Sequence, residues 1–167
     1  MKVRDVMTGV VKSCGPDTNL AAAAMIMWES DCGAVPVLDD AGKVIGMITD
    51  RDICMAVATK GREASLIAVG EVITGNVFSC LPEDDLSDAL KTMRNEQVRR
   101  LPVINGDGEL RGILSVNDVL LRAEVAGGKK TPALSYTEAA DTLKSICRHR
   151  APQAADEQAQ SEAAAQA

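Results

Sequence analysis

Aromatic residues are nearly missing from this chain. Trp28, Phe78 and Tyr136 are the only three among 167 residues, too few to interleave with basic side chains as a stacking platform for single strands. Positive charge is also short. Against 24 Asp and Glu stand 18 Lys and Arg, a net charge of −6. The basic footprint needed to bind a phosphate backbone is absent, so nucleic acid is not an expected partner. Histidine occurs once, as His149 near the end of a C-terminal helix. A cation suits the helix dipole there and no chemistry is assigned to it. The five cysteines (Cys14, Cys32, Cys54, Cys80, Cys147) are odd in number and form no C-x-x-C pair, which argues against a metal centre and against a disulfide framework. No run approaches the ~18 apolar residues of a membrane span, and Met1-Lys2-Val3-Arg4-Asp5 leads directly into patterned sequence. Neither a membrane span nor a signal peptide is expected, and the expected location is cytoplasmic. No nucleophile–base constellation or Walker loop is found either, so an enzyme is not expected.

What the chain does have is a repeat. Val3 to Ile53 return without a gap as Val69 to Val119, an offset of 66 from Pro16 to Pro82. Val6-Met7-Thr8-Gly9 becomes Val72-Ile73-Thr74-Gly75. Val35-Pro36-Val37 becomes Leu101-Pro102-Val103, and Gly46-Met47-Ile48-Thr49-Asp50-Arg51-Asp52 becomes Gly112-Ile113-Leu114-Ser115-Val116-Asn117-Asp118. A single unit of roughly 60 residues buries too little surface to be secure alone. Two sharing one core, packed about a pseudo-twofold axis, are expected, and any pocket one builds should appear twice. Cys14 and Cys80 take equivalent positions, as small half-buried strand residues.

Each repeat reads strand, helix, strand, strand, helix. In the first, Val10–Ser13 is an expected strand, followed by a helix over Leu20–Glu29 capped by Asp17 or Thr18. Ala34–Leu38 is a strand, Asp39–Gly42 a turn, and Val44–Ile48 an apolar strand expected to be buried on both faces. A helix over Asp50–Ala58 closes the repeat. The second runs through a strand Asn76–Ser79, a helix Asp85–Asn95, strands Arg100–Ile104 and Leu110–Leu114, and a helix Val116–Val125. Trp28 is expected to cover core or dimer surface, and Phe78 to pack in the core, with a place beside a base as the alternative. Ser135-Tyr136-Thr137-Glu138 has capping-box spacing. It opens an amphipathic helix over Ser135–Arg148, with Tyr136, Ala139, Ala140, Leu143, Ile146 and Cys147 at helical spacing. That helix is expected to dock on its own module or in a dimer rather than serve as a dedicated recognition helix. Ala151–Ala167, almost all Ala, Gln, Glu and Asp, is expected to be a disordered tail.

The strand-to-helix junctions carry the chemistry. Thr49-Asp50-Arg51-Asp52 and Ser115-Val116-Asn117-Asp118 have the S/T-x-x-D spacing that caps a helix. Each follows a glycine three residues upstream (Gly46, Gly112), and each leaves helix N–H groups that suit an anion. A hydroxyl suits phosphate, and a carboxylate three residues on can accept both hydroxyls of a ribose diol. The combination describes a nucleoside phosphate cradle built without a P-loop.

The two copies of strand, helix, h-P-V strand, G-h-h-[TS]-x-x-D and helix resemble a pair of cystathionine-β-synthase (CBS) domains, a Bateman module, over about Met1 to Ala126. The resemblance implies an α+β fold of two β-α-β-β-α repeats about a pseudo-twofold axis. The expected division is repeat 1 over 1–60, repeat 2 over 61–126, a linker and C-terminal helix over 127–150, and the tail over 151–167. It further implies two clefts for adenosine-containing ligands. Carried over by position, the first joins Thr49, Asp50, Arg51 and Asp52 to Gly75, Val77, Val98, Arg99 and Arg100. The second joins Ser115, Val116, Asn117 and Asp118 to Gly9, Val11, Cys32 and Gly33. Arg99-Arg100 precedes Leu101-Pro102-Val103 where the first repeat has neutral Gly33-Ala34. Guanidinium groups match phosphate oxygens, so the Asp52 cleft is expected to favour a phosphorylated ligand more than the Asp118 cleft. A solvated or salt-bridged surface pair is the alternative. The expected function is a non-enzymatic sensor with no catalytic cofactor and no metal. It would take AMP, ADP, ATP, NAD(H) or S-adenosylmethionine as regulatory ligand, form a homodimer, and modulate a separate effector protein. A constitutive dimerisation or adaptor module is the competing reading.

Overall fold

In the computed structural model, residues 1–124 and 134–148 are described. The two repeats build matching hairpins and helices. In repeat 1, α1 (Leu20–Glu29) leads to β1 (Ala34–Leu38), β2 (Val44–Thr49) and α2 (Asp50–Lys60). In repeat 2, α3 (Leu86–Glu96) leads to β3 (Arg100–Ile104), β4 (Leu110–Ser115) and α4 (Val116–Arg122), and α5 (Tyr136–Ile146) follows. β1 pairs antiparallel with β2 and β3 with β4, each pair with a register shift at the equivalent place, Val37/Leu38 and Val103/Ile104. Both hairpins turn on an Asx side chain. Asp39 Oδ1 accepts from the N–H groups of Ala41 and Lys43, and Asn105 Oδ1 from those of Asp107 and Glu109. Gly42 (φ 77°) and Gly108 (φ 87°) take the left-handed position that follows. The two hairpins meet at a Lys43–Glu109 bridge.

The pseudo-twofold relation is written in the backbone hydrogen bonds. The N–H of Val3, in the leader of repeat 1, donates to Asp84 O in repeat 2 at 3.0 Å; that of Val69, in the leader of repeat 2, donates to Thr18 O in repeat 1 at 2.8 Å. Arg4 N–H to Pro82 O is matched by Gly70 N–H to Pro16 O, and Leu86 N–H to Met1 O by Leu20 N–H to Ile67 O. The repeats therefore exchange their leading segments. One core joins Leu20, Met27, Val35, Val37 and Ile48 to Ile67 and Val69. The other joins Leu90, Met93, Leu101, Val103 and Leu114 to Val3 and Val6. Neither repeat completes its core alone.

Several expectations are corrected. The first strand of each repeat is not regular: Val10–Ser13 and Asn76–Ser79 lie outside any sheet, and only single parallel bridges, Cys14–Val37 and Cys80–Val103, remain. The reason is the exchange. Thr8 pairs with Ile113 of repeat 2 while Cys14 pairs with Val37 of repeat 1, so the residues between cross from one sheet to the other, and Val10 is 92% exposed. Asn19, not Asp17 or Thr18, caps α1 by accepting from Ala22 N–H at 2.9 Å, while Thr18 Oγ1 accepts from Gly15 N–H. β2 is buried at Gly46 and Ile48 and half-buried elsewhere, the alternation of an antiparallel strand. Trp28 is 85% exposed and does not cover the core, and Phe78 is exposed rather than packed inside.

α4 stops at Arg122, short of the expected Val125, because Glu124 is taken into backbone pairing with Leu134 and Tyr136. That pairing returns the chain to α5, whose Ser135–Glu138 capping box forms as the spacing required. α5 docks on α3 and α4 of repeat 2. It buries Ala139, Thr142 and Ile146, whereas Tyr136, Ala140 and Cys147 are exposed. Thr142 is fully buried, accepting from Arg94 Nη1 at 3.0 Å and donating to Glu138 O. The expected linker at Gly127–Lys130, His149 and the tail from Ala151 lie outside the described residues. Among the described residues, no helix is long and apolar enough to cross a membrane.

Candidate functional site

At both β-to-α junctions a β strand ends on a hydroxyl residue and the helix starts on the next one. Thr49 Oγ1 accepts from Asp52 N–H at 3.1 Å; in return Asp52 Oδ2 accepts from Thr49 N–H at 3.0 Å and from Thr49 Oγ1 at 2.6 Å. Ser115 and Asp118 repeat the arrangement, with Asp118 Oδ2 at 2.8 Å from Ser115 N and 2.5 Å from Ser115 Oγ. In each copy one carboxylate oxygen closes the cap and the other, Oδ1, is left over, with two acceptor lone pairs.

The left-over oxygens differ. Thr8 Oγ1, in the leader of repeat 1, donates to Asp118 Oδ1 at 3.3 Å. Thr8 is held there by a reciprocal backbone pair with Ile113, both bonds 2.9 Å. Gly112 permits this approach, since a Cβ there would lie 2.6 Å from Thr8 O. Gly9, next in the chain, lies against Gly112 as well. At the other junction the leader of repeat 2 approaches through a side chain instead: a Cβ on Gly46 would meet Ile73 Cδ1 at 2.7 Å. Thr74, the counterpart of Thr8, makes no hydrogen bond among the described residues, and neither does Asp52 Oδ1. Thr8 is a residue the motif reading passed over, although Thr-Gly stands at the same place in both repeats.

The remaining candidates fall as follows. Gly33 O accepts from Asp50 N–H at 3.2 Å, and a Cβ on Gly33 would lie 2.9 Å from Asp50 Oδ2. Gly33 thus contacts the first junction, in its own repeat, rather than the second, and Cys32 lines a cavity with Asp50 beside it. Arg99 O accepts from Val116 N–H at 3.0 Å, and Arg100 stands opposite Ser115 in the register. The backbone of the arginine pair is therefore anchored at the second junction. Arg99 is exposed and Arg100 half-buried, and neither side chain has an ion pair or hydrogen bond among the described residues. Val11, Val77 and Val98 are half-buried; Gly9, Gly75, Arg51 and Asn117 are exposed. Asp50 turns elsewhere: with Met27, Trp28, Cys32, Gly33 and Ile53 it lines a cavity of about 430 Å³ between the end of α1 and the start of α2.

Comparison with known proteins settles the family. The CBS domain model matches twice, at residues 3–59 and 69–124. The chain belongs to the CBS domain family. CBS domain-containing protein YhcV of Bacillus subtilis (strain 168) is 35% identical over 117 residues, 70% of this chain and 81% of that protein. Among solved structures, Hypoxic Response Protein I, described with two coordinated zinc ions, is similar at a TM-score of 0.68 and 31% identity, covering 74% of this chain and all of that one. CBSX2, solved in complex with AMP, is similar at a TM-score of 0.62 and 26% identity, covering 72% of this chain and 93% of that one. No group of three or more His, Cys, Asp or Glu able to hold a metal ion occurs among the described residues of this CBS pair.

Proposed function

We propose that this CBS pair is a non-catalytic sensor of adenosine-containing nucleotides, with one cleft at each junction, acting as a homodimer on a separate effector protein. The observation that carries the reading is the junction built twice: a capped helix start whose Asp keeps one oxygen in reserve. A ribose diol can donate to Oδ1 without opening the cap, and the hydroxyl and helix N–H groups face the adjoining phosphate. The AMP complex of the relative CBSX2 supports AMP as the first ligand to test; ADP, ATP, NAD(H) and S-adenosylmethionine share the nucleoside.

The clefts are unequal in this proposal. Asp52 is the readier site because its Oδ1 has no competitor among the described residues, while a ligand at Asp118 displaces Thr8. Arg99 and Arg100, whose side chains have no ion pair among the described residues, are assigned in this proposal to a phosphate in the Asp52 cleft, although their backbone is fixed beside Ser115. Calorimetry with AMP on Arg99→Ala in the Asp118→Asn background, and again in the Asp52→Asn background, assigns the arginine. A loss confined to the first background supports the proposal, and a loss confined to the second moves the arginine to the Asp118 cleft.

One observation favours the adaptor reading: both carboxylates already have structural employment in their caps. Thermal shift separates the two, since ligand at 100 times its dissociation constant stabilises by about 2.7 kcal/mol. No shift with any of the five ligands would leave a constitutive adaptor.

A further inference from the structure

The caps leave each motif Asp a fixed capacity for hydrogen bonds, and the two copies use it differently. An ionised carboxylate accepts about four hydrogen bonds, two at each oxygen. Asp52 Oδ2 takes both the N–H and the hydroxyl of Thr49, and Asp118 Oδ2 takes both from Ser115. Oδ2 is therefore filled in each copy, and what remains lies at Oδ1. Asp52 has both of its Oδ1 places open among the described residues. Asp118 has one, because Thr8 Oγ1 holds the other at 3.3 Å. Thr8 is a fixed competitor. Its backbone is paired with Ile113 by two bonds of 2.9 Å, and a Cβ on Gly112 would lie 2.6 Å from its carbonyl oxygen. The leader cannot withdraw; only the hydroxyl can turn away. Of the three bonds to the Asp118 carboxylate, at 2.5, 2.8 and 3.3 Å, the one from Thr8 is the longest, and so the one a ligand exchanges. The counterpart Thr74 makes no hydrogen bond among the described residues. The junction does not require the bond, since its second copy stands without it.

We infer that Thr8 is a specificity-determining residue, making the Asp118 cleft indifferent to the second hydroxyl of a sugar while the Asp52 cleft demands both. The inference rests on the nucleotide reading above and deepens it. A ribose diol at Asp52 fills both places on Oδ1, and each hydroxyl adds a bond. At Asp118 the first hydroxyl fills the open place, and the second must evict Thr8. One bond is then exchanged for another, with little net gain. A deoxyribonucleotide leaves Thr8 where it is and forfeits nothing. The Asp52 cleft is thus selective for ribonucleotides, and the Asp118 cleft takes ribo- and deoxyribonucleotides alike. A hydrogen bond to a charged acceptor is worth roughly tenfold or more in affinity. That factor is the discrimination present at Asp52 and missing at Asp118.

The test is titration calorimetry of the full chain with AMP, 2′-deoxy-AMP and 3′-deoxy-AMP. Asp118→Asn is used to read the Asp52 cleft, and Asp52→Asn to read the Asp118 cleft. At the Asp52 cleft both deoxynucleotides should bind about tenfold or more weakly than AMP. At the Asp118 cleft at least one of them should bind within about twofold of AMP. Thr8→Val keeps the β-branched shape and the backbone pair of the leader and removes only the hydroxyl. Added to Asp52→Asn, it should raise AMP affinity and bring in the discrimination of about tenfold that the cleft lacked. Thr74→Val, added to Asp118→Asn, should leave the preference of the Asp52 cleft unchanged. Equal penalties for both deoxynucleotides at the two clefts overturn the inference, as does a Thr8→Val chain that discriminates no better than its parent. An Asp118 cleft that binds none of the three, with or without Thr8→Val, overturns it too. Nucleotide bound at neither cleft faults the underlying nucleotide reading, whereas AMP bound without the expected discrimination faults this inference alone.

Discussion

At Asp52 and Asp118 one carboxylate oxygen serves the helix cap and the other is in reserve, claimed at Asp118 by Thr8. Replacement by Ala removes both uses, so Asp52→Ala should lower stability by about 0.5–2 kcal/mol through the lost cap besides its effect on ligand; Asn keeps a cap acceptor and isolates the binding role. Glycine marks the same asymmetry. Gly112→Ala drives a methyl against the backbone oxygen of Thr8 at 2.6 Å, whereas Gly46→Ala meets the side chain of Ile73, whose terminal Cδ1 can rotate away while its Cβ, at 3.2 Å, must give by a few tenths of an ångström. Urea unfolding should show Gly112→Ala costing about 1–3 kcal/mol and Gly46→Ala less; equal costs would mean that the Thr8–Ile113 pair is not rigid. The cysteines divide by burial. Burial, helped by the charge of Asp84, pushes the Cys80 thiol from 9.0 up to about 12, and burial raises Cys14. Because the folded value is the higher one, the stability this supplies is full below pH 9 and is lost as pH climbs toward 12. Native protein at pH 8.5 should therefore alkylate at exposed Cys54 and Cys147 and spare Cys14 and Cys80. Rapid labelling of Cys80 would contradict its burial.

At the scale of elements, helices and hairpins were legible because their signals are local. The α1 boundaries follow from the apolar spacing of Leu20, Ala23 and Met27, and the start of α5 follows from Ser135 and Glu138. The first strand of each repeat was not, because Val10-Val11 reads as a strand from its own residues while the missing partner is a non-local fact. The Thr8–Asp118 bond joins residues 110 positions apart, and no spacing rule reaches that far. The repeated Thr-Gly was in view but had no assigned use. Exchange of the leaders has a consequence for stability. Ile67 is fully buried in the core of repeat 1 although it precedes repeat 2. Ile67→Ala should cost about 2–5 kcal/mol and lower a single, shared melting transition. A separate transition for repeat 2, unmoved by the substitution, would show that the cores are independent.

Over the whole molecule, duplication makes two sites and divergence makes them different. Family and fold follow from the repetition, while the inequality of the clefts depends on contacts between repeats. At Asp118 the crossing leader is zipped to β4 and spends a hydroxyl on the carboxylate. At Asp52 the corresponding leader makes no hydrogen bond at Thr74 among the described residues. The outer surface repeats the pattern, with α5 on one helix pair and bare apolar side chains on the other. The most direct test of two unequal ribose sites is titration calorimetry with AMP on the wild-type chain, Asp52→Asn and Asp118→Asn. Two sites of different affinity are predicted. Asp52→Asn should weaken the tighter one by roughly 10–100-fold, the equivalent of about 1.5–3 kcal/mol, and Asp118→Asn should weaken the other. Identical isotherms for all three proteins, or binding in none, would contradict the account.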